Sequence, residues 1–256
     1  MPRSRILDSC SAVLAVLAVA AAVVAATSGP AAAEKPVDLV LNPPAGKTFH
    51  YQLDNQTELN YQGNTMSTLS SGSVSMTRAA DAANKNLVFS ITVDKLEMSR
   101  RQGSELQAQD LGLNGAKLQA EVTPRGKVAK VEGVTVLNEQ QLKIAENLVD
   151  VLFVDVPEQP VKTGDTWKSD LSKRDGSSTG SGEFTLDEIA KKSGHQAAMI
   201  SGPVAFEAKE PALTGKGTFE AAIAVDGGYT ISAKGSMDLK SDGPSVQQSF
   251  ELKLVE

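Results

Sequence analysis

Between Phe49 and Tyr61 the odd positions read Phe, Tyr, Leu, Asn, Thr, Leu, Tyr, and the even positions read His, Gln, Asp, Gln, Glu, Asn. Such alternation over thirteen residues fits a strand with one buried and one wet face and fits no helix. Leu87, Phe89, Ile91 and Val93 repeat it, and the phase then shifts to Leu96 and Met98. A shift by one residue predicts a bulge near Asp94. Further on, Leu118–Val122 and Val128–Val131 flank Thr123-Pro-Arg-Gly126, the residue order of a type I turn and so of a hairpin. Phe219, Ala221, Ile223 and Val225 lead into Asp226-Gly-Gly228, and Tyr229 to Leu239 lead out as a second hairpin. Val246 to Leu254 supply a last strand.

One segment departs from period two. Leu142, Ala145, Leu148, Val149, Leu152 and Phe153 recur at helical offsets, so 138–154 is predicted as an amphipathic helix. Asn138 with Gln141 three residues later makes a capping box at its start, and Pro157 marks the stop. Gly and Ser dominate 172–182, which reads as an exposed loop, and 103–115 reads as a long connection with weak helical character.

The start of the chain has a separate logic. Arg3 and Arg5 precede an Ala/Val/Leu run from 12 to 26, then Gly29, Pro30 and Ala31-Ala-Ala33. This is the three-part pattern of a cleaved secretory signal, with the cut expected after Ala33. Cys10 precedes the apolar run and does not suit a lipidation site, so the exported chain is expected to be unlipidated and free of cysteine. Residues 34–256 are then expected to form a single β-rich domain, with strand-rich halves at about 34–134 and 162–256 joined by the helix. The expected location is periplasmic or secreted.

The net charge of −6 over 256 residues carries no basic patch, which argues against nucleic acid as a partner. His50 and His195 are the only histidines, and neither stands at zinc-ligand spacing. A Ser-His-Asp triad would need one of these two. Gly176-Ser-Ser178-Thr-Gly180 matches G-x-S-x-G in letters but lacks the strand before it and the helix after it that a nucleophile elbow needs. The oxygens of Asp175, Ser177, Thr179 and Glu183 lack the calcium-loop pattern. Asp150 with Asp155, and Asp187 with Glu188, read as surface acids. Asn55-Gln-Thr57 forms a glycosylation sequon in mid-strand and reads as chance. No metal, cofactor or catalytic residue is expected, and the chain is read as non-enzymatic.

The segment Pro157-x-x-Pro160-Val161-x-x-Gly164-Asp165-x-Trp167 holds the only tryptophan. With the strand start at Phe49-His-Tyr51 and the Gly126-x-Val128 hairpin, it resembles a family of bacterial exported proteins of unknown function. That resemblance implies no activity and no catalytic residues. The layout also looks like the lipoprotein-carrier and mycobacterial lipid-binding folds of the bacterial envelope, in which a curved antiparallel sheet wraps helices and an apolar cavity. The fold class expected is therefore mainly β: a long, curved antiparallel sheet, half-barrel or barrel-like, with one packed amphipathic helix.

A coverage argument bears on function. A helix of about 17 residues is about 25 Å long and cannot cover a sheet of about eight to ten strands. Either the sheet curls on itself, or part of its inner face binds an apolar ligand such as lipid. In the second case Trp167, Phe49, Tyr51 and Phe153 are expected to line the cavity. Trp167 reads first as a structural anchor where helix, turn and sheet meet, since a lone tryptophan usually belongs to the core. The other functional class is a structural or protein-interaction module of the cell envelope, with an envelope protein as partner and no small-molecule ligand.

Overall fold

A computed structural model describes residues 35–255, apart from 83, 103–104, 175, 210–211 and 242–244. The expected signal segment 1–33 with Cys10, and Asp175, lie outside the described residues. Residues 34–256 make one compact unit. Twelve strands and one helix follow in order: β1 Thr48–Tyr61, β2 Asn64–Asp81, β3 Leu87–Gln102, β4 Glu105–Gln109, β5 Lys117–Val122, β6 Val128–Gly133, α1 Glu139–Leu152, β7 Thr166–Asp170, β8 Ser178–Lys192, β9 His195–Lys209, β10 Ala212–Ala224, β11 Thr230–Lys240 and β12 Ser245–Val255.

All twelve strands belong to one antiparallel sheet. Its order is β6-β5-β3-β2-β1-β12-β11-β10-β9-β8-β7, and β4 pairs with β3 beyond the reach of β5. The chain winds outward from β1 to β6, crosses through α1 to the opposite margin at β7, and winds back until β12 docks on β1. Leu53 pairs with Leu252 along that seam. The sheet is curved but not closed, since no ladder joins β6 to β7. Side contacts draw the two margins together instead. Lys127 Nζ, in the β5–β6 turn, donates to Asp170 of β7 at 3.2 Å, and Val156 N donates to Arg125 O.

The dry core occupies one half of the strands' length. Phe49, Tyr51, Leu53, Val74, Met76, Phe89, Ile91 and Val93 are buried there, under α1. The helix turns Ala145, Leu148, Val149 and Leu152 onto the sheet, as the spacing predicts. Its capping box forms: Asn138 Oδ1 accepts from Gln141 N at 2.8 Å, and Gln141 Oε1 accepts from Asn138 N at 3.0 Å. The segment before β1 seals the same end. Val37 and Val161 form a bridge, Leu39 is fully buried, and Arg125 donates to Asp38, Leu39 O and Glu158 O.

Several expectations change in detail. Twelve strands form where about eight to ten are expected from the spacing of turn signals. The helix stops at Leu152, with Phe153 extended, well before Pro157. Residues 105–109 are a strand, because β3 outruns β5 and leaves a margin that only another strand can pair. The loop at 172–182 is strand from Ser178 onward, and Ser178 and Gly182 are buried. The bulge falls at Asp94, since Ser73 pairs with Lys95 and Val74 with Val93.

Candidate functional site

Beyond Leu53 the inward face changes character. Strand parity puts Asn55, Thr57 and Leu59 of β1 on the face that α1 covers lower down. Here many inward residues are half-buried: Thr57 on β1, Phe250 and Gln248 on β12, Met237 on β11, Phe219 on β10 and Phe206 on β9, while Val204 and Leu239 stay buried. One half of the sheet is thus a packed core, and the other is an open inward face.

An aromatic row marks the boundary. Trp167 of β7 sits edge-on to Phe184 of β8, with ring centroids 6.1 Å apart. Phe184 to Phe219 is 5.4 Å, and Phe219 to Phe250 is 6.3 Å. Phe184, Phe219 and Phe250 lie on alternate strands, so about 9.5 Å separates their backbones. The rings reach each other by leaning over the strand between. Gly235 occupies that strand between Phe219 and Phe250 by register, and a Cβ there would lie 2.5 Å from Phe250 Cε1. Gly182 stands under Phe184 in the same way, with a Cβ there 2.5 Å from the ring Cζ, while Gly202, opposite Phe219, would meet the Glu183 backbone. Further out the inward positions of β8 and β10 are Gly180, Gly182, Gly215 and Gly217. With so little side chain, rings carry the apolar surface of this region.

The residues expected to line a cavity fall in two places. Phe49, Tyr51 and Phe153 sit in the packed half, at 2 %, 1 % and 8 % exposure. Phe49 packs on Tyr229 at 4.6 Å and Phe153 on Phe89 at 5.0 Å. Trp167 alone of the four reaches the open half, half-buried at the end of the aromatic row. Its indole N–H is buried and has no hydrogen-bond partner, and the same holds for Asn55 Oδ1. Sequence reasoning passes over Phe219 and Phe250 as a pair, because only register brings them together.

Tyr51 is unusual for a core residue. Its hydroxyl is buried without a partner, and burial, with a smaller contribution from Tyr229, pushes its pKa upward. A buried hydroxyl without a bond costs stability. Tyr51→Phe is therefore expected to leave the unfolding midpoint unchanged or raise it. A drop in stability above about 1 kcal/mol would show that the hydroxyl is bonded in solution.

Among the described residues the histidines do not take a triad's middle position. On the outer face, His50 Nδ1 lies 2.9 Å from Ser75 Oγ, and Ser75 Oγ donates to Asp94 at 2.6 Å. A nucleophilic triad needs histidine between serine and acid, so that the ring takes the serine proton. Here serine is in the middle and its proton goes to the carboxylate. His195 Nδ1 meets Tyr229 OH at 3.1 Å. Ser178 lies inside β8, with no helix following. The acids are tied up or apart: Asp150 pairs with Lys173 and Arg174, while Asp187 and Glu188 are exposed where the β8–β9 register shifts. Asp170 is held down at about 2 by hydrogen bonds from Ser172 and then Lys127. No cluster of metal-ligating side chains is found among the described residues.

A cleft of about 1230 Å³ crosses the sheet at the level of the aromatic row. Outward-facing Asp54, Gln56, Glu220, Lys234, Ser249 and Glu251 line it together with Asn55, Ser70, Met98, Gly235 and Phe250 of the inward parity. Its lining mixes polar and apolar surface, with Lys234 bonded to Glu220 at 2.8 Å. None of Trp167, Phe49, Tyr51 and Phe153 lines it.

No family model matches the sequence, and no curated protein matches it. The resemblance to an exported-protein family thus stays a likeness of the Pro157–Trp167 segment. Among solved structures the chain is similar to lipovitellin, in a structure of its lipid–protein interactions: TM-score 0.62, 8 % identity, 83 % of this chain and 25 % of that one. The chain spans a quarter of the lipovitellin chain's length, and the likeness is one of fold alone. Two lower-scoring matches are a hypothetical lipoprotein, YmcC, from Escherichia coli (TM-score 0.27, 14 % identity, 77 % and 85 % coverage) and a DUF1329 family protein from Desulfovibrio piger (TM-score 0.19, 10 % identity, 82 % and 87 % coverage). At those scores neither bears on this chain's fold or function. No helix among the described residues is long and apolar enough to cross a membrane. The chain forms a single curved antiparallel sheet with one helix, similar in fold to part of lipovitellin.

Proposed function

We propose that this is an exported, non-enzymatic protein that holds an apolar ligand, of the lipid class, against the open half of its sheet. The observation that carries the reading is the half-buried inward face around Phe219, Phe250 and Met237. A protein that only needed to fold would cover such rings, since apolar burial contributes roughly 25 cal/mol per Å². One helix covers only the packed half, as its length dictates. A ligand on the open half would complete the burial. Export rests on the N-terminal pattern of Arg3, Arg5, the apolar run and Ala31–Ala33. The lipid–protein interactions described for lipovitellin agree with this use of the fold and do not establish it here.

Organic extraction of protein purified from its native host, followed by mass spectrometry, tests the reading. A long-chain molecule at near one-to-one stoichiometry is the expected result. A clean extract, with no uptake of added lipid, would favour an envelope interaction module without a ligand.

A further inference from the structure

The open inward face is not uniformly apolar. One transverse row of register neighbours shows how it divides. From β9 to β11 it reads Val204, Gly217 and Met237. From β12 to β4 it continues Gln248, Thr57, Thr68, Arg100 and Gln107. Three apolar or glycine positions give way to five consecutive polar ones at the β11–β12 boundary. The aromatic row beside it changes at nearly the same strand, from Phe219, Gly235 and Phe250 to Asn55 and Ser70, with Met98 beyond them on β3. The β8–β11 wall therefore suits a hydrocarbon chain, and the Gln248–Gln107 row of the β12–β4 wall offers hydrogen-bond donors, with Val246, Leu59 and Met66 on the next row out.

The charge on that polar wall has one sign where the row is densest. Arg100 is the only Lys or Arg of inward parity in the open half among the described residues. Its Nε donates to Met66 Sδ at 2.7 Å, and no carboxylate pairs with it among the described residues. A guanidinium has five N–H donors in a fork that matches a carboxylate or phosphate. Glu105, diagonal to Arg100 on β4, is the one acid of this wall, and no ion pair joins the two among the described residues. Thr57 and Thr68 stand directly opposite each other and bring two hydroxyls beside the guanidinium by register.

We propose that the ligand is a single-chain amphiphile with an anionic head: its chain lies along the glycine–aromatic wall of β8–β11, and its carboxylate or phosphate meets Arg100, Thr68 and Thr57. This rests on the reading that the open face holds an apolar ligand, and adds which end goes where. A neutral hydrocarbon would leave the polar wall without a purpose, and a fully polar ligand would leave the aromatic row exposed.

Calorimetric titration of the full chain separates the two levels. The probes are oleate, oleyl alcohol and 1-oleoyl-lysophosphatidate, each below its micelle concentration, against the wild type, Arg100→Gln and Thr57→Val. Oleate is expected to bind about ten-fold more tightly than oleyl alcohol. Arg100→Gln should erase that difference and leave oleyl alcohol binding unchanged, with an unaltered unfolding midpoint, because Arg100 is exposed. Thr57→Val should give a smaller loss for oleate alone. Tighter binding of the lysophosphatidate, equally sensitive to Arg100→Gln, would identify a phospholipid head as the source of the anion. Equal affinity of the wild type for oleate and oleyl alcohol, or an Arg100→Gln variant that still discriminates, would overturn the proposal and leave apolar binding standing. Failure of all three probes to bind would remove both.

Discussion

Leu152→Ala is expected to cost about 2–5 kcal/mol of stability, whereas Lys143→Ala should change it by under about 0.5 kcal/mol. Leu152 is 1 % exposed and closes the helix face that rests on the sheet. Removing its isobutyl group takes away apolar burial and leaves a cavity that a twelve-stranded sheet cannot collapse to fill. The effect is local to the side chain, since the Leu152 carbonyl, which accepts from Thr230 Oγ1 at 2.9 Å, stays in place. Lys143 is on the opposite face and meets only Glu139, one turn back, at 3.3 Å. Such exposed pairs contribute little. Urea unfolding of both variants measures the contrast. Similar midpoints would mean that α1 presents a different face to the sheet.

The second large effect concerns the aromatic row. Gly235→Ala is expected to destabilise by about 1–3 kcal/mol, as overpacking does, because the new methyl meets the Phe250 ring at 2.5 Å. The methyl also sits where Phe219 and Phe250 lean towards each other, 6.3 Å apart. A double-mutant cycle with Phe250→Leu isolates this cause. With the ring gone, Gly235→Ala should cost much less, giving a coupling of about 0.5–3 kcal/mol. Strict additivity would mean that Gly235 matters for its backbone rather than for the ring above it.

Local signals were legible in the sequence, and pairings were not. The alternation of β1, the Asn138–Gln141 capping box, the Asp94 bulge and the Pro124–Gly126 hairpin each depend on residues a few positions apart. β2 escaped notice because Ser67, Ser71, Ser73 and Ser75 fill its outward side and Val74 and Met76 are nearly its only buried apolar residues. It is a strand because β1 and β3 pair with it on both sides. β4 is a strand for the same reason. The open face was half visible: Asn55 and Thr57 interrupt the apolar side of β1. What they face was not visible, since Gln248 and Arg100 reach them through register fixed along whole strands. Gly202, Gly217 and Gly235 leave no hydrophobic period for a sequence reader to find.

The β1–β12 seam has a consequence for how the protein comes to exist. Leu53 and Leu252 lie at opposite ends of the described chain, yet their strands occupy the middle of the sheet. The two windings, β1 to β6 and β7 to β11, can form hairpin by hairpin from neighbours in sequence. They cannot become one sheet until β12 is available to fill the gap. Closing so long a loop is slow, because its entropy is lost before the contacts are gained. Until then β1 and β11 each present an unpaired edge, open to mispairing.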